Sequence, residues 1–474
     1  MQSNMNKRII FVLSFLMTLF VLLVLYLTYF QIVKADKIAN NEYNKRLWVD
    51  ENKLERGTIY DRDKNVLVET KKDQSGKNYR FFDYANIYAA ITGYNSKTYG
   101  TAGLEKSYMK ELLNVNKDTP LSQLRNIVSS KNKGNDLVLT TNSKLQKLAY
   151  NLLEGKKGSV VMMNPKTGEV YVMATYPSYN PNEVSSQWQD LLNKESSPLL
   201  NRSTQGMYTP GSVFKIITAT AILNNKDKVD KIVEDNTGTI EFNKYTISNN
   251  NGSVFGETDL RKALEKSSNV YFASQGVKLG NKILTENAQN FMIGKKIPFD
   301  LPVAPSVNGY MKTKSNADIA TTSFGQGETL VTPLNMAMAM SAVANDGIML
   351  KPYLVNQVID CDGKVIKQTK PEQLSEVGSK KDMEILKDYL RTTAESYETL
   401  NVSTSVIAKS GTAEIKDKTS THAWFVAAAP FKNPKFAIAV ILEDDNSYGV
   451  RTAGPIASKM LNAAINEIGF DDKN

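Results

Sequence analysis

The chain has 474 residues, of which 41% are apolar and 23% are charged. These are ordinary values for a folded protein and they exclude wholesale disorder. The sequence has one cysteine, Cys361, and one histidine, His422, which excludes an intramolecular disulfide, thiolate zinc sites and metal centres that need two imidazoles. We therefore expect no metal and no cofactor. The net charge of +9 is scattered along the chain without a basic stripe, so we expect no nucleic-acid partner.

The first element in chain order is an apolar segment that contains no charged side chain, residues 9–33. As a helix it is long enough to cross a hydrocarbon core of roughly 30 Å. The apolar region of a cleaved signal peptide has only about 7 to 15 residues, so we expect a retained anchor. Lys7 and Arg8 precede the segment, and the positive-inside rule then predicts a cytoplasmic tail at 1–8 and an extracytoplasmic chain after the anchor.

Residues 34–157 form a polar region with short alternating segments such as TIYDRDKNVLVET (58–70). Such segments are typical of strands joined by hairpin turns. No catalytic pattern stands out in this region, which we interpret as a strand-rich, non-catalytic pedestal. Arg56, Asp61 and Arg62 are interpreted as an ion-pair network that holds the pedestal against the next domain.

Residues 158–474 contain stronger core signals. SVVMM (159–163) and EVYVMATY (169–176) flank a turn with Pro and Gly, which predicts a hairpin. The later predicted elements are a helix that starts within 208–223, strands within 402–415, 422–430 and 436–442, and a closing helix over 454–469. An antiparallel sheet flanked by helices fits this order, so the predicted fold class is α+β.

The chemistry is predicted from a serine and a lysine in Ser212-Val-Phe-Lys215. Three residues apart at a helix start, the two side chains project from one face. A desolvated lysine can lose its proton and serve as the base for a hydroxyl. The pattern has little weight alone, because Ser107…Lys110 and Ser130…Lys133 share it, and because a serine before an apolar run is often only a helix cap.

Two further segments select Ser212. Ser267-Ser268-Asn269 follows it by 55 residues, and Lys409-Ser410-Gly411-Thr412 follows it by 197 residues on a predicted strand. The trio of SxxK, SxN and KTG-like segments is the signature of penicillin-binding proteins and class A β-lactamases. The literal Lys166-Thr167-Gly168 precedes the serine in a hairpin turn, and we interpret it as a decoy. Helix-surface and exposed-strand positions are the alternatives for these residues.

Longer segments extend the signature over nearly the whole chain. They are RGTIYDR (56–62), GTAGLEKSY (100–108), LNRSTQGMYTPGSVFK (200–215), SFGQGETLVTPLNMA (323–337) and IAKSGTAE (407–414). With these segments the chain resembles a class B penicillin-binding protein, one of the membrane-anchored D,D-transpeptidases of bacterial peptidoglycan synthesis. Lys64, where the family often has glycine, and the alanines of HAWFVAAAP (422–430) depart from its pattern at positions without a catalytic role.

The resemblance implies a role for each matched side chain near the nucleophile. Ser212 is the acylated nucleophile and Lys215 is its base. Ser267 relays a proton to the leaving amine, and Asn269 positions Lys215 and the substrate amide. His422 is interpreted as a structural or rim residue.

The resemblance also implies how the substrate is held. Lys409 and Ser410 bind its carboxylate, and the strand backbone after Gly411 pairs with the peptide. The backbone N–H groups of Ser212 and Thr412 form the oxyanion hole.

The implied architecture is a dimerisation-like pedestal at 34–157 and a transpeptidase domain at 158–474. The implied substrates are peptidoglycan stem peptides ending in D-Ala-D-Ala, the implied inhibitors are β-lactams, and the implied partner is a SEDS-family glycan polymerase in the membrane. A D,D-carboxypeptidase, a β-lactam-hydrolysing enzyme or sensor, and a catalytically idle scaffold are the alternatives. Roles in elongation, division and sporulation stay open.

Overall fold

The computed structural model describes residues 2–34, 55–114, 133–242, 244–415 and 420–469. Its strands are β1 (Ile59–Tyr60), β2 (Val66–Lys72), β3 (Asn78–Phe82), β4 (Asn95–Ser96), β5 (Gly100–Thr101), β6 (Asp136–Leu139), β7 (Gly158–Met163), β8 (Val170–Tyr176), β9 (Val233–Asp235), β10 (Thr239–Phe242), β11 (Tyr245–Ser248), β12 (Gly256–Thr258), β13 (Ile348–Leu350), β14 (Val355–Ile359), β15 (Val365–Gln368), β16 (Gln373–Glu376), β17 (Ile407–Glu414), β18 (Thr421–Ala429) and β19 (Phe436–Leu442). Its α-helices are α1 (Gln2–Tyr29), α2 (Ala85–Thr92), α3 (Gly103–Ser107), α4 (Met109–Leu112), α5 (Ser143–Leu152), α6 (Val184–Asn193), α7 (Arg202–Gln205), α8 (Lys215–Asn224), α9 (Leu260–Glu265), α10 (Asn269–Asn290), α11 (Asn316–Ser323), α12 (Pro333–Ala344), α13 (Lys380–Glu395) and α14 (Gly449–Ile468).

Helix α1 continues through one π-helical turn, Phe30–Lys34. Within the part of the chain that the structure describes, Lys7–Lys34 is the one helix long and apolar enough to cross a membrane. The hydroxyl of Thr18 donates to the carbonyl of Ser14, and that of Thr28 donates to the carbonyl of Val24. These bonds satisfy polar groups that hydrocarbon would leave without partners. The helix fits the predicted single-pass anchor.

A six-stranded sheet lies in the N-terminal module, in the order β15-β14-β6-β1-β2-β3. Strand β1 pairs parallel with β6 and antiparallel with β2. Strands β14 and β15 come from residues 355–368 and complete the sheet, since β14 pairs antiparallel with β6 and β15 pairs antiparallel with β14. Conversely, α5 lies before residue 157 but packs against β8 of the second sheet. Elements therefore cross the predicted boundary at 157 in both directions, and the limits of the two domains stay a prediction.

The second sheet has five antiparallel strands in the order β17-β18-β19-β7-β8. Alternate residues of β19 belong to different core clusters. Ala437, Ala439 and Ile441 lie in the cluster that contains α12, and Ile438 and Val440 lie in the cluster that contains α14. Both faces of the strand are covered by helices, which explains why its sequence is a continuous apolar run rather than an alternating one. The predicted α+β class, with an antiparallel sheet flanked by helices, is confirmed.

The predicted start of the closing helix is wrong by five residues. Helix α14 begins at Gly449 and contains Pro455, instead of starting beside that proline. A proline removes one backbone donor and disfavours a helix interior, so the sequence pattern favoured a start at Gly454. The surrounding residues are buried against the central sheet, and this packing outweighs the lost hydrogen bond.

The predicted ion-pair network of the pedestal is wrong in its pairing. Arg56 pairs with Glu105 of the GTAGLEKSY segment at 2.7 Å, with both side chains buried. Asp61 accepts hydrogen bonds from the backbone of Asp63, Asn65 and Ser143. The guanidinium of Arg62 lies 4.6 Å from the ring centre of Tyr171 on β8. Asp61 thus contacts α5 through the N–H of Ser143, and Arg62 contacts β8 through the ring of Tyr171. Neither forms an ion pair with Arg56.

Candidate active site

Ser212 lies in a 3₁₀ turn, Gly211–Phe214, directly before α8. Gly211 has a φ of +57° and its N–H donates to the carbonyl of Gly325. A Cβ on Gly325 would lie 1.9 Å from the Gly211 oxygen, so the close approach of the two segments requires glycine there. The indole N–H of Trp424 donates to the carbonyl of Thr209 at 3.0 Å. The turn that carries the serine is therefore held from two sides.

Lys215 is the first residue of α8, and its side chain is completely buried. Its Nζ lies 2.9 Å from Ser212 Oγ and 2.8 Å from Asn269 Oδ1. It also lies 2.6 Å from the carbonyl oxygen of Ser267 and 3.1 Å from that residue's hydroxyl. The structure thus brings Ser212 and the segment Ser267-Ser268-Asn269, called the SSN segment below, together around the Nζ of Lys215.

The SSN segment occupies the connection between α9 and α10. Ser267 has a φ of +55°, in the left-handed region. Ser268 caps α10 by accepting a hydrogen bond from the N–H of Tyr271. Asn269 donates through Nδ2 to the carbonyl of Ser248 at 2.9 Å. Because its amide nitrogen is engaged there, its oxygen faces Lys215.

Lys409 lies on β17 and is 1% exposed. Its Nζ contacts the hydroxyl of Ser267 and the carbonyl of Ser410, both at 3.1 Å. The Ser267 hydroxyl is thus within hydrogen-bond distance of both lysines. With its two lone pairs occupied by these donors, the hydroxyl is left to donate its own proton elsewhere.

Burial lowers the pKa of Lys215 well below its ordinary value, and the nearby charge of Lys409 lowers it further. Four oxygen atoms surround its Nζ, and as hydrogen-bond acceptors they favour the ammonium form, against the effects of burial and of Lys409. A neutral amine has two N–H groups and one lone pair, and the lone pair can accept the proton of Ser212 Oγ. The lowered pKa and the contact with Ser212 Oγ therefore favour Lys215 as a base.

Strand β17 is an edge of its sheet. The N–H of Ser410 donates to the hydroxyl of Tyr397 at 3.0 Å, so the backbone of Ser410 faces the free edge. Because strand geometry has a period of two, the backbone of Thr412 faces the same edge. A Cβ on Gly211 would lie 2.9 Å from the Thr412 oxygen, which places this edge beside the serine turn. The free edge can pair with an extended peptide.

The competing segments lie elsewhere. Lys166 is exposed in the turn after β7, where its Nζ contacts Asn433. Ser107 is exposed on α3, and Ser130 lies outside the described residues. The ring of His422 packs edge-on against Tyr208, with ring centres 5.4 Å apart, and its Nδ1 accepts from the N–H of Asp444. These contacts agree with a structural interpretation of the histidine.

The sequence analysis did not single out three residues that support the site: Asp235, Asn249 and Tyr397. Asn249 stands in the run SNNNGS (248–253), a composition that indicates only a turn. The partners of Tyr397 and Asp235 could not be inferred from local patterns. Among the described residues, no group of three or more His, Cys, Asp or Glu could hold a metal ion.

Comparison with known proteins yields two family matches. The model of the penicillin-binding protein transpeptidase domain matches residues 158–462. The model of the penicillin-binding protein A dimerisation domain matches residues 56–137. Peptidoglycan D,D-transpeptidase PbpA of Mycolicibacterium smegmatis is 29% identical to this chain, and the alignment covers 95% of this chain and 96% of the relative.

Solved structures give the same result. Penicillin-binding protein A of Mycobacterium tuberculosis, as a ceftriaxone acyl-enzyme complex, matches with a TM-score of 0.82 and 28% identity, over 88% of this chain and 100% of the other. The D,D-transpeptidase domain of a peptidoglycan glycosyltransferase from Eggerthella lenta matches with a TM-score of 0.79 and 30% identity, over 88% of this chain and 99% of the other.

The chain belongs to the penicillin-binding protein transpeptidase family. The predicted resemblance to class B of this family is confirmed, and the enzyme class is that of the serine-type peptidoglycan D,D-transpeptidases.

Proposed function

We propose that this chain cross-links peptidoglycan stem peptides through an acyl-enzyme on Ser212. The observation that carries the proposal is the contact of 2.9 Å between Ser212 Oγ and the buried Nζ of Lys215. A buried, neutral lysine beside a serine hydroxyl supplies the activation for which other serine enzymes use histidine. Related proteins of known structure carry β-lactams as acyl-enzymes.

In the proposed first half-reaction, Lys215 takes the proton of Ser212, and Oγ bonds to the carbonyl carbon of the penultimate D-Ala. The backbone N–H groups of Ser212 and Thr412 hold the oxyanion, an interaction worth about 3 to 4 kcal/mol per donor. The C–N bond then breaks, and the amine of the terminal D-Ala leaves with a proton that Ser267 relays. The product is a peptidyl ester on Ser212 and free D-Ala.

In the second half-reaction, an amine of a neighbouring stem peptide attacks the ester carbonyl. The amine loses a proton, the new amide forms, and the C–O bond breaks as Ser212 Oγ is protonated again through Lys215. In the first half-reaction, before the terminal D-Ala leaves, Lys409 and Ser410 bind its carboxylate. The free edge of β17 after Gly411 pairs with the donor backbone.

The proposal is tested by intact-mass measurement of the protein incubated with a penicillin, beside Ser212→Ala and Ser107→Ala. We expect a stable adduct in the wild type and in Ser107→Ala, and none in Ser212→Ala. An adduct that persists in Ser212→Ala would refute the assignment of the nucleophile. Consumption of the drug without an adduct would favour a hydrolytic enzyme, and an intact drug with folded protein would favour an idle scaffold.

The acceptor is tested separately by product analysis. A donor peptide incubated with a peptide amine should yield a cross-linked amide if the enzyme is a transpeptidase. A D,D-carboxypeptidase would yield only the shortened donor, because water is then the acceptor.

We further propose that α1 anchors the chain with its N-terminus in the cytoplasm, and that a SEDS-family polymerase supplies the glycan strands. The support is the apolar stretch Lys7–Lys34 with basic residues at its start. Replacing residues 9–33 by an unrelated anchor should abolish co-purification with the polymerase. Unchanged association would contradict the proposed contact.

A further inference from the structure

A buried asparagine lies directly behind the SSN segment. Asn249 is 3% exposed and follows β11. Its Oδ1 accepts three hydrogen bonds: from the hydroxyl of Ser268 at 3.1 Å, from the N–H of Asn269 at 2.8 Å and from the N–H of Val270 at 3.1 Å. One oxygen atom therefore holds the start of α10 at the residue that faces Lys215.

The orientation of this amide is set by a buried carboxylate. Asp235, at the end of β9, is 1% exposed. Its Oδ2 accepts from Asn249 Nδ2 at 2.6 Å, and its Oδ1 accepts from the N–H of Gly238 at 2.8 Å. An ionised carboxylate can only accept hydrogen bonds, so the nitrogen of the Asn249 amide must face it. The oxygen of that amide must then face α10.

The same backbone also orients the amide of Asn269. Ser248, which precedes Asn249, accepts from Asn269 Nδ2 at 2.9 Å. This contact leaves Oδ1 of Asn269 to face Lys215 Nζ at 2.8 Å. The side-chain amides of Asn249 and Asn269 thus each have one permitted orientation. Together they connect the carboxylate of Asp235 to the Nζ of Lys215.

We propose that Asp235 and Asn249 are positioning residues of the acylation reaction. They hold Asn269 in the orientation in which its Oδ1 faces Lys215 Nζ. This inference rests on the proposed function. Ser268 already caps α10 through the N–H of Tyr271, so the helix end has a cap without Asn249. The specific contribution of Asn249 is to fix the backbone and, through Ser248, the side chain of Asn269.

The test compares acylation rates of the full chain with a fluorescent penicillin. Asn249→Asp removes the N–H that donates to Asp235 and places a second carboxyl group against that residue, so the pair is held in place less well. We expect the acylation rate to fall about tenfold to hundredfold, because small displacements of a reacting group have effects of this size.

The chain offers a control at another buried asparagine whose amide donates to an aspartate. Asn142 is 3% exposed, accepts from the N–H of Leu145 and donates through Nδ2 to Asp63 at 2.9 Å. It caps α5, which packs on β8, at the opposite edge of the central sheet from β17. Asn142→Asp places a second carboxylate beside Asp63, which is exposed, so solvent weakens the repulsion there. We expect a smaller loss of thermal stability than in Asn249→Asp and an acylation rate within about threefold of the wild type.

A double variant that exchanges the two residues, called the swapped pair below, separates the loss of this contact from a general loss of folding. In Asp235→Asn with Asn249→Asp, the amide at 235 can donate to the carboxylate at 249, which in turn accepts the three donors of α10. Because Asn249 Nδ2 also donates to the carbonyl of Ser253 at 2.9 Å, a bond that the swap does not restore, we expect the double variant to regain part of the lost rate and Asp235→Asn alone to be slow. If Asn249→Asp does not fold, the comparison of Asp235→Asn with the swapped pair gives the same information.

The pH profile separates positioning from stability. The Asn269 oxygen accepts from Lys215 Nζ and so favours the ammonium form, while Lys409 opposes it. A displaced Asn269 should lower the pKa of Lys215 and move the acid limb of the acylation rate to lower pH. A loss of stability alone would leave this midpoint unchanged.

The outcomes are distinct. Absence of acylation in the folded wild type would refute the proposed function itself. A wild type that is acylated, with Asn249→Asp no slower than Asn142→Asp, would overturn only the positioning role. A folded swapped pair that stays as slow as the single variants, or an acid limb that does not move, would overturn it equally.

Discussion

At the scale of single residues, two neighbouring lysines are the main electrostatic feature of the candidate site. Lys215 and Lys409 are both buried and both contact the hydroxyl of Ser267. Burial and the charge of Lys409 lower the pKa of Lys215. The lowered pKa favours the neutral form of Lys215 beside Ser212, as its proposed role as a base requires.

This electrostatic coupling predicts a pH effect. Lys409→Met removes the positive charge, so the pKa of Lys215 should rise and the acid limb of the acylation rate should move to higher pH. The measurement is the acylation rate with a fluorescent penicillin as a function of pH, from which the midpoint is taken independently of the absolute rate.

Lys166→Met is the control, because Lys166 is exposed in a remote turn. It should leave the midpoint unchanged. A midpoint that stays in place or falls in Lys409→Met would show that the two lysines are not coupled as described.

The sequence predicted the residues that the structure gathers around Lys215 because the chemistry restricts their types and their order along the chain. It did not predict Asp235, Asn249 or Tyr397, since Asn and Asp are common in turns and Tyr in loops. What distinguishes these three is a contact with a distant segment. A single sequence without its fold contains no local signal for such contacts.

At the scale of elements, close packing of two glycine-containing segments positions Ser212, the proposed nucleophile. Gly325, with a φ of +88°, lies against the carbonyl of Gly211. Gly325→Ala should displace the serine turn because its Cβ would meet that oxygen at 1.9 Å. We expect acylation to fall at least about tenfold, together with a stability loss of about 1 to 3 kcal/mol from the strained backbone.

Gly327→Ala is a control in the same loop. Gly327 has a φ of +80°, but its Cβ would approach Thr322 only to 3.4 Å. It should lose less stability than Gly325→Ala, as measured by thermal unfolding, and keep most of its acylation rate. Equal rates in the two variants would contradict the role assigned to the close approach.

The elements of the central sheet were predictable for a physical reason, and the start of α14 was not. The strands β7, β8 and β19 appear in the sequence as apolar runs because both faces are covered. Helix α14 shows the opposite case, because the local effect of Pro455 indicated a boundary and burial against the sheet outweighed it. Local propensity is a weak guide where tertiary packing is strong.

At the scale of the whole molecule, the N-terminal sheet depends on strands from the distant segment 355–368. A fragment of residues 34–157 lacks β14 and β15, so the edge of β6 loses its partner. We expect this fragment to fail to unfold cooperatively by circular dichroism and to aggregate through the open edge.

The control is the same fragment joined by a flexible linker to residues 351–370, which restores both strands. It should show a cooperative transition. Cooperative unfolding of the shorter fragment would mean that the four remaining strands suffice.

The boundary between the two domains was predicted at residue 157, where the composition of the sequence changes. That criterion detects where composition changes along the chain, and it contains no information on pairing between β6 and β14. The elements that cross the limit, α5 in one direction and β14 with β15 in the other, follow from packing in three dimensions.

The late arrival of β14 has a consequence for biosynthesis. Ribosomes extend a chain by about 5 to 20 residues per second, so β6 waits on the order of ten seconds or more before its partner has been made. During that interval its edge is open and competent to pair with another nascent chain. The same pairing has a large sequence separation and is slow to form by itself. Newly made copies therefore pass through a stage in which a high local concentration of incomplete chains favours misassembly.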